Sequence, residues 1–412
     1  MPDKINIIFV DDESNILDGL RRMLWGMRKE WTMSFASGGQ SALDMLAAQS
    51  YDVIVSDIRM PGINGVQLLN EVKRGYPHMV RIALSGQTSR EAILRSVGPV
   101  HQYISKPSEA QVIINSVKRV CSYRNFLTED RFRSLAARLE SLPCLSSCYT
   151  ALKQKLHERN ASMESISEIV AQDAAIAVKI LQLVNSAFFG VRQHVTSIYE
   201  AVKYLGLDTI RALVLTVKIF NQFDEAVLPG FSLPALWEHS YTVGEWAQII
   251  ARAEDVGAEI AADVFLSGLL HDIGKLVLAS TLPRKYQEVL TETRAKGCAI
   301  SEAEAEIIGV THAEVGAYLL GLWGFSNSII EVLLYHHQPI RAPVQAFNAL
   351  TAVYIADRLH HRRDSTGDGV EDLRPSEDEY LKVFKVARKI PLWRKMCRDH
   401  TGTKRPKEEA SK

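Results

Sequence analysis

Asp11 and Asp12 follow directly on the apolar run Ile5–Val10, and Asp57 follows Val53–Ser56. Ser85 follows the run Val80–Leu84, and Lys106-Pro107 lies just beyond Gln102–Ile104. Three carboxylates, a hydroxyl and an ammonium at the ends of strand-like runs can bind a hard cation and accept a phosphoryl group. Converging carboxylates repel one another and need a positive charge among them; Mg²⁺, held by a few carboxylates and waters, suits such a site. Attack by Asp57 on a phosphoryl donor would form an acyl phosphate. Metal, lysine and hydroxyl would then hold the three new oxygens. One such Asp alone would read as a surface acid; the ordered set does not.

A second set consists of His239 (LWEHSYTVGEW), His271-Asp272 (LSGLLHDIGKLVL), His312 (GVTHAEVGAYLL), His336-His337 (VLLYHHQP) and Asp357 (VYIADRL). All but His312 fall within, or at the end of, predicted apolar helices. Imidazole and carboxylate suit Zn, Fe, Mn or Ni in one- or two-metal sites inside helical bundles. A two-metal site would generate hydroxide for phosphoester hydrolysis. Lys275, one turn past His271, is a candidate phosphate contact. Each histidine alone would read as a hydrogen-bonded core residue, and adjacent His336 and His337 would point apart. The assembled set is a candidate metal site.

The elements that must position these residues change character along the chain. To about residue 120, β-rich runs alternate with helical patterns: strands at Ile5–Val10, Thr32–Ala36, Val53–Ser56, Val80–Leu84 and Gln102–Ile104. Helices follow at Glu13–Arg28, Gln40–Ala48, Val66–Arg74, Ser89–Val97 and Glu109–Val120. Five βα units predict an open parallel sheet covered on both faces. Residues 123–140 read as a helical linker; no Pro or Gly interrupts Ser108–Leu142, so one long helix would couple the first domain to the second. From 141 to 360, amphipathic helical runs follow one another, at Ala201–Leu205, Ile210–Phe220, Trp237–Ala253, Ala261–Leu270, Ala303–Ile308, Ala313–Leu320, Ser328–Tyr335 and Ala346–Leu359. Residues 361–412 read as one amphipathic helix, about 377–389, and a disordered tail. The fold class is α/β plus all-α.

The 412 residues carry 48 basic and 48 acidic side chains, and 47% are hydrophobic. This is globular composition, not disorder. Zero net charge, and no predicted helix with a dense Lys/Arg face, argue against direct DNA binding. The short basic runs His360–Arg363 and Lys404–Lys407 read as solvated faces. No apolar run approaches the ~20 residues of a membrane span, and the N-terminus lacks a signal-peptide pattern. The expectation is a cytoplasmic protein. The five cysteines include Cys144 and Cys148 in C-x3-C spacing with no second pair nearby, which supports neither a disulfide framework nor a zinc finger.

Residues 5–122 resemble the receiver domain of bacterial two-component response regulators, which has a (βα)5 flavodoxin-like fold. The resemblance implies that Asp11 and Asp12 bind Mg²⁺ and that Asp57, in VIVSDIRMPGINGVQLL, is the phosphoacceptor. Arg59 would complete the metal shell through its main-chain carbonyl. Ser85 and Tyr103 would be the switch residues, and Lys106 the conserved-type lysine, with a cis Lys106-Pro107 bond. A sensor histidine kinase would be the phosphoryl donor. Phosphorylation would alter the face formed by the last two predicted helices and the strand between them.

Residues 138–360 resemble the HDOD domain, the HD-related output domain of bacterial signalling proteins. The likeness begins at LESLPCLSSCYTALKQKL, continues through IVAQDAAIAVKILQLVNSAFFG, with Ala174 where the family has Pro after Asp173, and includes VTSIYEAVKYLGLDTIRALVL. The wider HD superfamily includes metal phosphohydrolases, among them HD-GYP cyclic-di-GMP phosphodiesterases. There His239, His271, Asp272, His312, His336, His337 and Asp357 would correspond to ligand positions for one or two transition metals. The stretch after His336-His337, QPIRAPVQAF, has no Gly-Tyr-Pro loop, which speaks against cyclic-di-GMP hydrolysis. HDOD domains are regarded as regulatory modules. The expected protein is a response regulator phosphorylated on Asp57, with an HDOD output that engages a downstream protein or nucleotide ligand, as monomer or homodimer. The alternative is a receiver-gated, metal-dependent phosphohydrolase acting on a nucleotide or cyclic dinucleotide.

Overall fold

A computed structural model describes residues 4–85, 99–123, 127, 132, 142–158, 161–185, 195–215, 221–222, 228–256, 258–343, 347–364, 379–383, 386 and 388–404. The expected helix at Ser89–Val97 and most of the 123–140 linker lie outside them. The structure divides into two compact units, residues 1–233 with 273–326, and residues 234–272 with 327–412.

The first unit opens with β1 (Ile5–Val10), α1 (Ser14–Met23), β2 (Trp31–Ala36), α2 (Gly39–Ala48), β3 (Val53–Asp57), α3 (Gly65–Gly75), β4 (Val80–Ser85), β5 (Gln102–Ser105) and α4 (Ala110–Ser122). The strands form one parallel sheet in the order β2-β1-β3-β4-β5. Ile7–Val10 and Val53–Val55 are buried, as expected of strands covered on both faces. The strand order reverses between β1 and β3, so their carboxyl ends flank a crevice where open α/β sheets bind ligands. Asn64 caps α3 in a reciprocal pair with Gln67. Gly65 is required there, because a Cβ would lie 1.9 Å from the carbonyl oxygen of Asp57.

Helix α4 stops at Ser122, Tyr123 caps it, and Leu127 is not helical. The single helix expected through residue 140 is therefore broken; lack of Pro and Gly permits a helix but does not enforce one.

The remaining first-unit elements are β6 (Pro143–Cys144), α5 (Ser146–His157), α6 (Met163–Ala171), α7 (Ala174–Val184), α8 (Ile198–Leu205), α9 (Leu207–Leu215) and β7 (Asn221–Gln222). The parallel pairing of β6 with β7 adds a two-residue ladder to a region expected to be wholly helical. Asp173 is fully buried and caps α7: Ala175 and Ile176 donate to one carboxylate oxygen and Leu145 to the other. Asn185 makes two 2.7 Å bonds to the backbone of Val195.

After α10 (Leu233–Ala253) and α11 (Ala258–Leu270), the chain returns to the first unit as α12 (Ile273–Thr281), α13 (Pro283–Lys296), α14 (Ile300–Ile307) and α15 (His312–Leu322). Helices α12 and α13 escaped the sequence reading. Helix α13 nonetheless carries Pro in its first turn and the left-handed Gly297 after its end, the usual start and stop. Within this unit β5 and α4 meet α15: Gln102 Nε2 donates to the Leu322 carbonyl at 3.2 Å, and Arg119 donates to Gln102 at 3.3 Å. Gly321 lies so close to the Tyr123 ring that a Cβ would be 2.3 Å from it.

The second unit consists of α10, α11, α16 (Asn327–Tyr335), α17 (Ala349–Asp364), α18 (Glu379–Val383) and α19 (Ile390–Lys404). The expected terminal helix at 377–389 is instead split, and helix extends to Lys404 within the stretch expected to be disordered. The cause is apolar spacing: Ile390, Trp393 and Cys397 form one stripe, buried in a cluster with Trp246, Val353 and Leu381. The stretch Asp263–Thr281 is long and apolar enough to cross a membrane, but 78% of it is buried inside the protein.

Burial pushes the thiols of Cys144 and Cys397 up to about 12 and that of Cys148 to about 11. Raised values leave almost no thiolate near neutrality. At pH 8 an alkylating reagent should modify the half-buried Cys121 and Cys298 and spare the other three. Mass spectrometric mapping checks this; rapid labelling of Cys397 would show that α19 does not pack as described.

Candidate functional site

The sheet brings Asp11, Asp57 and Lys106 together. Lys106 Nζ lies 2.6 Å from Asp11 Oδ2 and 2.5 Å from Asp57 Oδ1. Asp11 and Asp57 are buried, so their mutual repulsion is weakly screened. Burial disfavours the ammonium of Lys106, but the two carboxylates outweigh it and hold its pKa above the usual lysine value. The second oxygen of each carboxylate accepts from backbone: Glu13 N–H to Asp11 at 3.0 Å, Arg59 N–H to Asp57 at 2.6 Å. Asp12 is exposed beside them. Ser85 ends β4, in register with Ser105 of β5. Tyr103 is buried in the hydrophobic core of the sheet. Lys106-Pro107 is cis.

The second unit gathers His239, His271, Asp272 and Asp357. Helices α10 and α11 cross at two glycines: a Cβ on Gly268 would lie 2.5 Å from Gly244 Cα. This close crossing brings His239 of α10 beside His271, just past α11. His239 Nε2 lies 3.3 Å from His271 Nε2, 3.1 Å from Asp357 Oδ1 and 3.7 Å from Asp272 Oδ2. His271 Nε2 is 3.4 Å from Asp272 Oδ2 and 3.8 Å from Asp357 Oδ1. Ligand bonds of 2.0–2.1 Å around a tetrahedral ion imply ligand separations of about 3.3 Å. The two imidazoles and Asp272 at these spacings fit a transition metal, and Asp357 lies beside His239.

The ring orientations agree with that reading. His271 Nδ1–H donates to the Gly268 carbonyl at 2.7 Å, which leaves Nε2 as the lone-pair nitrogen. Burial disfavours the charged form of His271, yet Asp272 and Asp357 outweigh it and raise its pKa. For His239 burial wins over the same carboxylates and lowers the pKa. Charge that draws a proton to this spot also draws a cation. His336 Nδ1–H donates to Leu333, and its Nε2 lies 3.7 Å from the other Asp272 oxygen, Oδ1. His337 lies beside it, with ring centroids 4.0 Å apart.

His312 and Lys275 belong to the first unit. His312 is held by a residue that the sequence reading missed: Glu304 Oε2 accepts from both its Nδ1–H (2.6 Å) and its backbone N–H (2.8 Å). Both residues are fully buried. Gly274 packs on the carbonyl of His312, where a Cβ would be 1.9 Å away. His360 was also missed. Expected on a solvated basic face, it is buried, 2.9 Å from His239 Nδ1 to Nδ1. Its position three residues after Asp357 on one helix was the available signal.

A parallel sheet in the order β2-β1-β3-β4-β5 whose carboxyl edge carries a lysine-bridged aspartate pair has the architecture of a receiver domain. Residues 7–118 match the response regulator receiver domain family, and residues 142–339 match the HDOD domain family. The chain is a response regulator with a receiver domain and an HDOD output domain. Similar proteins include an uncharacterized protein of Treponema pallidum, 29% identical over 228 residues (54% of this chain, 43% of the relative). The hydrogenase transcriptional regulatory protein HoxA of Cupriavidus necator is 38% identical over 122 residues, 29% of this chain and 25% of its own. The chain thus spans less than half of these two relatives. Among solved structures, the MmoQ response regulator of Methylococcus capsulatus is 24% identical, with 61% of this chain and 98% of that one covered and a TM-score of 0.48.

Gly268→Ala should push α10 and α11 apart at a cost of about 1–3 kcal/mol, as overpacked cores do. Thermal unfolding measures it; an unchanged Tm would show that the crossing tolerates a methyl group.

Proposed function

We propose that Asp57 accepts a phosphoryl group from a sensor histidine kinase and that the HDOD region transmits the change to a downstream protein or nucleotide ligand. The Lys106 bridge between Asp11 and Asp57 carries this reading. An Asp57 oxygen attacks phosphorus, the P–N bond of the phosphohistidine donor breaks, and its electron pair returns to the imidazole. Asp11, Asp12, Asp57 and the Arg59 carbonyl are the residues that would hold Mg²⁺, which when bound offsets phosphoryl charge. Lys106 would move from carboxylate to phosphoryl oxygen, and Ser85 and Tyr103 would follow as the switch pair. Tyr103 adjoins Gln102, whose amide bonds Leu322 of α15, so a shift of β5 reaches the output region directly.

Asp57→Asn should abolish incorporation of phosphate from a low-molecular-weight acyl phosphate, seen as loss of an 80 Da mass increment expected on the wild type. Retained incorporation would move the phosphoacceptor elsewhere.

The ligand spacings around His239 favour a metal site and so support the alternative reading, a receiver-gated, metal-dependent phosphohydrolase acting on a nucleotide or cyclic dinucleotide. His239, His271, Asp272 and Asp357 would hold one ion; Asp272 Oδ1, His336 and His337 would serve a second. Elemental analysis of wild type should find one or two equivalents of transition metal, absent from Asp272→Ala. Metal-free wild type would leave the histidines as core residues and the output as protein binding. A cytoplasmic location, without direct DNA contact, completes the proposal.

A further inference from the structure

His239 is the most exposed of the four converging side chains, at 12%, and it alone comes from α10. Its ring must be held from behind if Nε2 is to face His271 and Asp357. The candidate is His360. The two Nδ1 atoms are 2.9 Å apart, so one donates and the other accepts. A His239 ring that offers the Nε2 lone pair to a cation carries its proton on Nδ1. His360 is then the acceptor, with its own proton on Nε2. The His360 ring stands edge-on to Trp246, centroids 5.5 Å apart at 69°, which fixes the acceptor. Asp357 and His360, one turn apart on α17, therefore flank His239 at Nε2 and at Nδ1.

We infer that His360 is a positioning residue that sets the tautomer and direction of His239 as a metal ligand. The inference rests on the metal-site reading proposed above. It accounts for a buried histidine that this set of ligands does not use. It also explains why His360 belongs to the site and not to a solvated basic surface. Groups that orient a ligand histidine are worth about 10–100-fold in metal affinity.

The test compares Zn²⁺ affinity of the full chain, by competition with a chromophoric chelator, among wild type, Asp272→Ala, His360→Asn and His360→Leu. Asn places an oxygen where Nδ1 stood and can accept the same bond. Leu fills the space beside Trp246 but accepts nothing. His360→Asn should keep the wild-type affinity, and His360→Leu should lose about 10–100-fold while folded. Equal affinity of wild type and His360→Leu overturns the inference and leaves the metal site standing. Equal loss in both His360 variants also overturns it. Absence of Zn²⁺ from wild type and Asp272→Ala alike overturns the metal-site reading and this inference with it. A folding failure of His360→Leu is covered by imidazole ¹⁵N spectra of the Zn²⁺-loaded wild type. These should show His239 protonated at Nδ1 and His360 at Nε2; the reverse assignment overturns the inference.

Discussion

Buried carboxylates repel one another, and both candidate sites are arranged around that repulsion. In the receiver sheet Asp11 and Asp57 are brought together by the switch in strand order, and Lys106 lies between them. In the helical region Asp272 and Asp357 close on two imidazoles. Removing such groups from water costs several kcal/mol each unless opposite charge and hydrogen bonds compensate. The receiver supplies its compensation from within, through a lysine and two backbone N–H groups. The helical site offers two neutral or protonated rings, and its remaining negative charge favours a cation.

Close backbone approach builds both sites. Gly65 lets the start of α3 rest on the carbonyl of Asp57. Gly244 and Gly268 let two helices cross near enough to bring His239 Nε2 within 3.3 Å of His271 Nε2, and Gly274 lets α12 rest on the carbonyl of His312. A single methyl group at any of these positions would overlap backbone, which cannot yield as a side chain can. The histidines are aimed by what stands behind them: carbonyls for His271 and His336, the buried Glu304 for His312, and His360 for His239.

Much of this was legible in the chain. Continuous apolar runs announced strands buried on two faces, and chemistry-bearing residues stood at the ends of four of them. The HD set was legible as a list because most of its members fall within, or at the ends of, apolar helical runs. Helices α12 and α13 were missed although Pro283 and Gly297 bracket the second of them. The C-terminal helix was misplaced because charged residues between Ile390, Trp393 and Cys397 masked a narrow apolar stripe. Linker continuity failed because helix propensity is a weak local preference, and α4 stops where Tyr123 packs on Gly321 of α15.

Sequence alone determined the elements and the inventory of reactive groups, since strand and helix periodicities and turn residues are local properties. It also determined that Asp11, Asp57 and Lys106 would meet, because the carboxyl edge of a parallel βα sheet collects the residues after its strands. Tertiary structure alone decided which histidines face one another and what holds each ring. His239 and His360 are separated by 121 positions, and Glu304 and His312 lie on different helices. No periodicity encodes such a meeting, because it depends on how near two helices can approach, and at Gly244 and Gly268 that distance is set by the absence of a side chain.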